Sequence, residues 1–143
     1  MKNNNRWIII VLLAVAVLAL SACGSDSATA KEVKPAQVEE IEGSEFKQLV
    51  LTERAVERLD IQTAEVSEEQ GAMVVPYSTV IYGLHGETWL YTNPEPLTYV
   101  RQPITIDRID GGLAILSEGP ALGTAVVTVG VAELYGEETG IKK

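Results

Sequence analysis

The sequence predicts a mainly β chain: a small antiparallel β-barrel or sandwich with one short helix, preceded by a signal helix and a flexible linker. Three observations predict it. Beyond Gly71, runs of five to ten residues rich in Val, Ile, Tyr and Thr alternate with short turns marked by Gly and Pro. No stretch in that part is long enough for a crossover helix, so neighbouring strands pair antiparallel. The helical spacing that does occur is brief and lies near residue 55, between two segments of strand character.

The N-terminus reads as an export signal. Lys2 and Arg6 precede an unbroken apolar run at residues 7–20, which ends in Leu20-Ser21-Ala22-Cys23. That run holds 14 residues, short of the roughly 20 that a spanning helix needs. The arrangement is a lipoprotein signal, so residues 1–22 are expected to be removed and Cys23 to carry the lipid. Acyl chains stabilise membrane attachment by roughly 0.8 kcal/mol per methylene, so two or three hold a protein where one exchanges. Residues 23–44 are small, polar and acidic, and are expected to form a lipidated flexible linker; a strand around Val38 and Ile41 is the competing reading. Residues 45–143 are expected to form one β-domain. The chain from Cys23 onward holds 9 basic and 20 acidic residues, a formal charge of −11. Such a charge repels nucleic acid and anionic membrane surfaces alike. Cys23 is the one cysteine, so acylation leaves no thiol for a disulfide or a metal.

Within the domain, Phe46, Leu49, Val50 and Leu51 suggest a short strand. Thr52 is placed to cap a helix over residues 53–59, whose face Leu51, Ala55, Val56 and Leu59 would define. Asp60 ends it. Ile61, Thr63 and Val66 alternate as a strand that runs into a polar turn at residues 67–71. Residues 73–82 form a further strand, with Pro76 at an edge or a bulge. Gly83-Leu84-His85-Gly86 turns it into residues 88–92, and Asn93 to Pro96 make a rigid loop. Residues 97–107 read as one long strand interrupted at Pro103, and Asp110-Gly111-Gly112 turns it into residues 113–116. Residues 125–129 are the last strand, followed by a short helix or turn at residues 131–135.

Catalytic groups do not assemble. His85, the single histidine, lies in a glycine-flanked turn where solvation is the ordinary state. The serines lack the G-x-S-x-G context, and neither a P-loop nor G-x-G-x-x-G is present. Glu39, Glu40, Glu42 and Glu45, and again Glu68 and Glu69, read as solvated charge in loops. No metal ligands, cofactor or enzymatic activity are therefore expected. The aromatic residues Tyr77, Tyr82, Trp89, Tyr91 and Tyr99 all fall on expected strands, with Trp89 and Tyr91 sharing one face. Packing across the hairpin onto Tyr82 is one reading of them. Tyr91, Tyr99 and Arg101 are the candidates for a docking surface, since Tyr and Arg are favoured interface anchors; a salt bridge to a nearby carboxylate is the other reading of Arg101.

Three stretches together resemble the membrane-proximal domain of periplasmic adaptor (membrane fusion) subunits of bacterial efflux pumps. They are VVPYSTVIYGLHGETWLYT from Val74, PLTYVRQPITIDRIDGGLAIL from Pro96 and EGPALGTAVVTVGVAELYGEE from Glu118, which together span 65 residues, 74–138. The family opens this region with "VP-x-S-A-V", returns with "W-V-Y", continues with "F-x-R-x-P-V" and closes with a glycine-punctuated "VV" strand. LVLTERAVERLDIQTAEV from Leu49 resembles the segment that begins the same domain, with Asp60 where glycine is usual. Full adaptors insert a lipoyl-like domain, a helical hairpin and a barrel between these segments; here residues 67–71 join them directly. The resemblance implies neighbouring strands from the two segments and a domain that rests on an inner-membrane transporter. It does not imply the bridge to an outer-membrane channel, which needs the missing hairpin.

The expected function is a lipid-anchored, non-enzymatic binding domain on the extracytoplasmic face of the cell membrane. It would be accessory to transmembrane transport and contact a transporter or an adaptor subunit. The alternative is a lipoprotein that binds a small molecule or cation and feeds it to a transporter, which requires a concave apolar pocket with a few polar groups.

Overall fold

The computed structural model describes residues 34–140. Cys23, the expected signal peptide and the first part of the expected linker lie outside the described residues. None of the described helices is long and apolar enough to cross a membrane.

The first element lies inside the expected linker. Strand β1 (Ala36–Glu40) pairs antiparallel with β2 (Lys47–Leu51), from Ala36 opposite Leu51 to Glu40 opposite Lys47. The linker expectation for residues 23–44 is thus corrected over its last part. Alternation failed as a signal there because β1 has one paired edge and mostly solvated side chains. After β2, Thr52 accepts a hydrogen bond from the Ala55 amide at 3.2 Å and starts helix α1 (Glu53–Leu59). The helix stops at Asp60, whose φ of 49° is left-handed. The Asp60 amide donates to the Glu57 carbonyl and the Ile61 amide to the Val56 carbonyl, both at 3.2 Å, which is a Schellman closure. Glycine is the residue that this conformation favours.

Strand β3 (Gln62–Glu65) continues through Val66 into β4 (Ser67–Glu69), and Gln70-Gly71 turn into β5 (Ala72–Pro76). The expected strand at residues 73–82 is broken by a 3₁₀ turn (Tyr77–Thr79) before β6 (Ile81–Tyr82). Strand β7 (Thr88–Glu95) is longer than expected and absorbs the supposed rigid loop. The tight turn that follows is Pro96-Leu97, with Leu97 at φ 63°. Strands β8 (Thr98–Pro103) and β9 (Thr105–Asp110) flank Ile104, and β10 (Leu113–Glu118) and β11 (Ala125–Val129) complete the set. The chain then forms helix α2 (Val131–Thr139), so there are two α-helices among the described residues where one was expected.

Among the described residues all pairings are antiparallel and make two sheets. The larger runs β1-β2-β8-β7-β11-β3, with β6 sharing an edge of β7; the smaller runs β4-β5-β10-β9. Neither closes, so the barrel alternative is corrected to two open sheets. The reason is visible at Val66 and Ile104. Both are buried where the chain passes from one sheet to the other, so β3 and β8 continue into β4 and β9 instead of curling together. Strands of the early segment do neighbour those of the later one: β2 pairs β8, and β3 pairs β11.

Two cores lie on opposite faces of the larger sheet. Leu90 and Val126 point into one, with Val66, Val75, Ile104, Ala114 and Leu116. Tyr91 and Val127, one residue further on, point into the other, with Leu49, Leu51, Ala55, Tyr99 and Leu134. Successive strand residues face opposite sides, so β7 and β11 are central strands buried on both faces. The smaller sheet covers one face and the helices the other.

Candidate functional site

The face of the larger sheet that meets α2 gathers the chain's unusual side chains. Period-two alternation aims Trp89 and Tyr91 from β7, and Tyr99 and Arg101 from β8, to the same side. Tyr91 and Arg101 are directly opposed in the ladder. Helix α2 presents Val131, Leu134, Tyr135 and Glu138 at i, i+3, i+4 and i+7, one stripe that packs onto this face. Arg101 Nη2 lies 3.1 Å from Glu138 Oε1, and the Tyr91 hydroxyl donates to Glu138 Oε2. Glu138 is only 5% exposed. The Arg101 guanidinium stands 4.5 Å from the Trp89 ring centroid, 4.9 Å from Phe46 and 5.5 Å from Tyr135. Arg101 Nε is buried without a hydrogen-bond partner.

These groups are spent on each other. Burial, and next the hydrogen bond to Glu138, push the Tyr91 hydroxyl well above the usual tyrosine range, so it remains a donor. Burial raises Tyr99 as well. The arrangement clamps the C-terminal helix to the sheet with a desolvated ion pair. It corrects the docking-surface expectation, because Tyr91 is 0% and Tyr99 3% exposed. Their strands are central, so both faces are covered. For Arg101 the salt-bridge reading is the one the geometry shows, and its partner is Glu138. Sequence reasoning missed Glu138 by ending the terminal helix or turn at residue 135; the spacing 131-134-135-138 was the signal that it closes a helical stripe.

Among the described aromatic residues, Tyr77 and Tyr82 are the most exposed. Their rings pack edge to face, with centroids 6.4 Å apart. Tyr91 and Tyr99 lie in the core, so the core reading holds for those two residues, whereas Tyr82 is 52% exposed and takes only Tyr77 against its ring. Leu84, two residues on at the hairpin tip, is 99% exposed. An apolar residue between two turn glycines was the overlooked signal. The tip is held by Glu87, whose carboxylate accepts the His85 amide at 3.0 Å. Hydrogen bonds from its own amide and from that of His85 hold the Glu87 carboxyl below its usual range. Gly83 passes so close to Trp89 that a β-carbon there would sit 2.6 Å from Cη2 of the ring. Beside this tip lies a shallow basin of about 730 Å³ lined by Phe46, Tyr82, Glu87, Trp89, Pro103 and Ile106.

A second concavity, about 490 Å³, lies between α1, α2 and the start of β1. Leu51, Ala55, Leu59 and Leu134 make its apolar floor, while Arg58, Glu133 and Glu137 line its walls. Among the described residues no three His, Cys, Asp or Glu side chains gather as a metal site. Comparison with protein-family models, curated proteins and solved structures finds no match to this chain.

Proposed function

We propose that this chain is a lipid-anchored extracytoplasmic binding domain, non-enzymatic, attached through Cys23 and accessory to transmembrane transport. Its partner is a transporter or an adaptor subunit. The observation that carries the reading is the exposed group Tyr77, Tyr82 and Leu84 beside the aromatic-floored basin. Tyr and apolar side chains held out on a braced hairpin suit an interface anchor. The pairing of β2 with β8 and of β3 with β11 adds support, because the resemblance implies that its two segments neighbour each other. The test uses a photo-crosslinking residue at position 84 of the full chain in intact cells. A discrete adduct with an integral-membrane transporter or an adaptor subunit is expected, weakened by Tyr82→Ser. An absence of adducts, or adducts unchanged by Tyr82→Ser, overturns the docking assignment. Anchoring is tested separately: Cys23→Ser is expected to move the protein from the detergent phase to the aqueous phase in detergent partitioning.

The 490 Å³ cleft favours a second reading, a lipoprotein that binds a small molecule and hands it to a transporter. Its apolar floor and few charged groups are what such a site requires. Filling it with Ala132→Trp separates the two readings, since the hairpin tip is left untouched.

A further inference from the structure

We propose that the cleft between α1 and α2 binds a small zwitterionic molecule with an apolar body, of the class to which a short apolar peptide with both termini free belongs. The proposal deepens the small-molecule reading and rests on it. Two features of the cleft carry it. Small residues keep it open: Ala36, Ala55, Ala132 and Gly136 stand where larger side chains would fill the space. Charges of opposite sign then stand on its walls without meeting. Arg58, in the last turn of α1, is on one side, and Glu133 and Glu137, four residues apart on α2, are on the other. The ion pairs among the described residues are Arg101–Glu138 and Arg108–Asp107, so Arg58 makes none with either carboxylate.

That charge pattern selects a ligand class. A simple anion would face two carboxylates, and a simple cation would face the guanidinium. An uncharged apolar molecule would cover the floor and strip water from all three charged groups without replacing its hydrogen bonds. A molecule with an ammonium at one end and a carboxylate at the other satisfies both walls while its apolar body covers Leu51, Leu59 and Leu134. The carboxylate meets Arg58 in a geometry that guanidinium favours.

The experiment is calorimetric titration of the full chain in lipid nanodiscs with dileucine, N-acetyl-dileucine and dileucine amide. Saturable one-site binding of dileucine is expected, with each blocked form weakened about tenfold or more by loss of a charge-assisted bond. Arg58→Gln should abolish discrimination against the amide and keep discrimination against the acetylated form. Glu133→Gln with Glu137→Gln should do the converse. Nile red, which carries no charge, serves as an apolar probe of the same cleft, with protein-free nanodiscs as the blank. If that probe binds and Ala132→Trp excludes it, while dileucine does not bind or the blocked forms bind equally, the cleft reading stands and the zwitterion proposal falls. If neither probe binds, both fall. Self-association of the chain that is lost in the Glu133 and Glu137 variants would assign the cleft to a second copy and also overturn the proposal.

Discussion

Arg101 and Glu138 hold opposite charges where little water reaches either, with side chains 13% and 3% exposed. Removing one partner of such a pair strands the other, at a cost of about 3–5 kcal/mol, whereas replacing both by apolar groups of similar size is often neutral. Glu138→Ala is therefore expected to lower stability by about that amount. The double variant Arg101→Met with Glu138→Leu should recover most of it, as read by denaturant unfolding. Tyr91 adds a pH dependence. Its hydroxyl titrates near 10 in the unfolded chain and higher when folded. Below pH 10 both states keep the proton, and the contribution of Tyr91 to stability is intact. Above it the unfolded chain ionises first, so that contribution is lost as pH climbs toward the folded value. Tyr91→Phe is expected to lose about 1.5–3 kcal/mol at neutral pH and to show a shallower fall above pH 10. An identical slope in both proteins would remove this account. The sequence showed that Trp89 and Tyr91 share a face and that Arg101 wants a carboxylate. It did not show which carboxylate, because the partner lies 37 residues away on another element.

At the scale of elements, local chemistry was legible where it is self-contained. Thr52, Ala55 and Asp60 mark both ends of α1 without help from the rest of the fold. The Asp60 backbone nevertheless sits where a β-carbon costs about 1–2 kcal/mol, and glycine would give back about 0.5–1 kcal/mol of that as chain entropy. Asp60→Gly is thus expected to raise stability by roughly 0.5 kcal/mol, less the loss of the bond from Gln62 Nε2 to Asp60 Oδ2. A rise in melting temperature checks it, and a fall would show that the side-chain bond outweighs the backbone strain. Strand β1 was illegible for the opposite reason. Its sequence, AQVEE, puts only Ala36 and Val38 on one face, too short an apolar signal to mark a strand without the ladder to β2. It covers an edge that Leu49 and Leu51 would otherwise leave open.

For the whole molecule, fold class was readable and topology was not. Leu90-Tyr91 on β7 and Val126-Val127 on β11 are consecutive buried residues, so simple alternation gives no sign of which face meets which layer. The two sheet crossings at Val66 and Ile104 have no local marker beyond a single buried aliphatic residue. Because the larger sheet is shared by both cores, neither core is independent. Val126→Ala and Val127→Ala, each expected to cost about 2 kcal/mol, should lower one common transition seen alike by circular dichroism and tryptophan fluorescence. Separate transitions for the two variants would mean that the layers unfold apart.

The early start of β1 also limits geography. If Cys23 carries the lipid, as proposed, only thirteen residue steps separate it from Ala36, the first described residue paired in the sheet. Even a chain drawn straight gains at most about 3.6 Å per step, so on that proposal Ala36 would stand no more than about 47 Å from the lipid. A partner of the proposed anchored domain would then have to come down into that narrow zone, a membrane neighbour rather than something diffusing far from the bilayer.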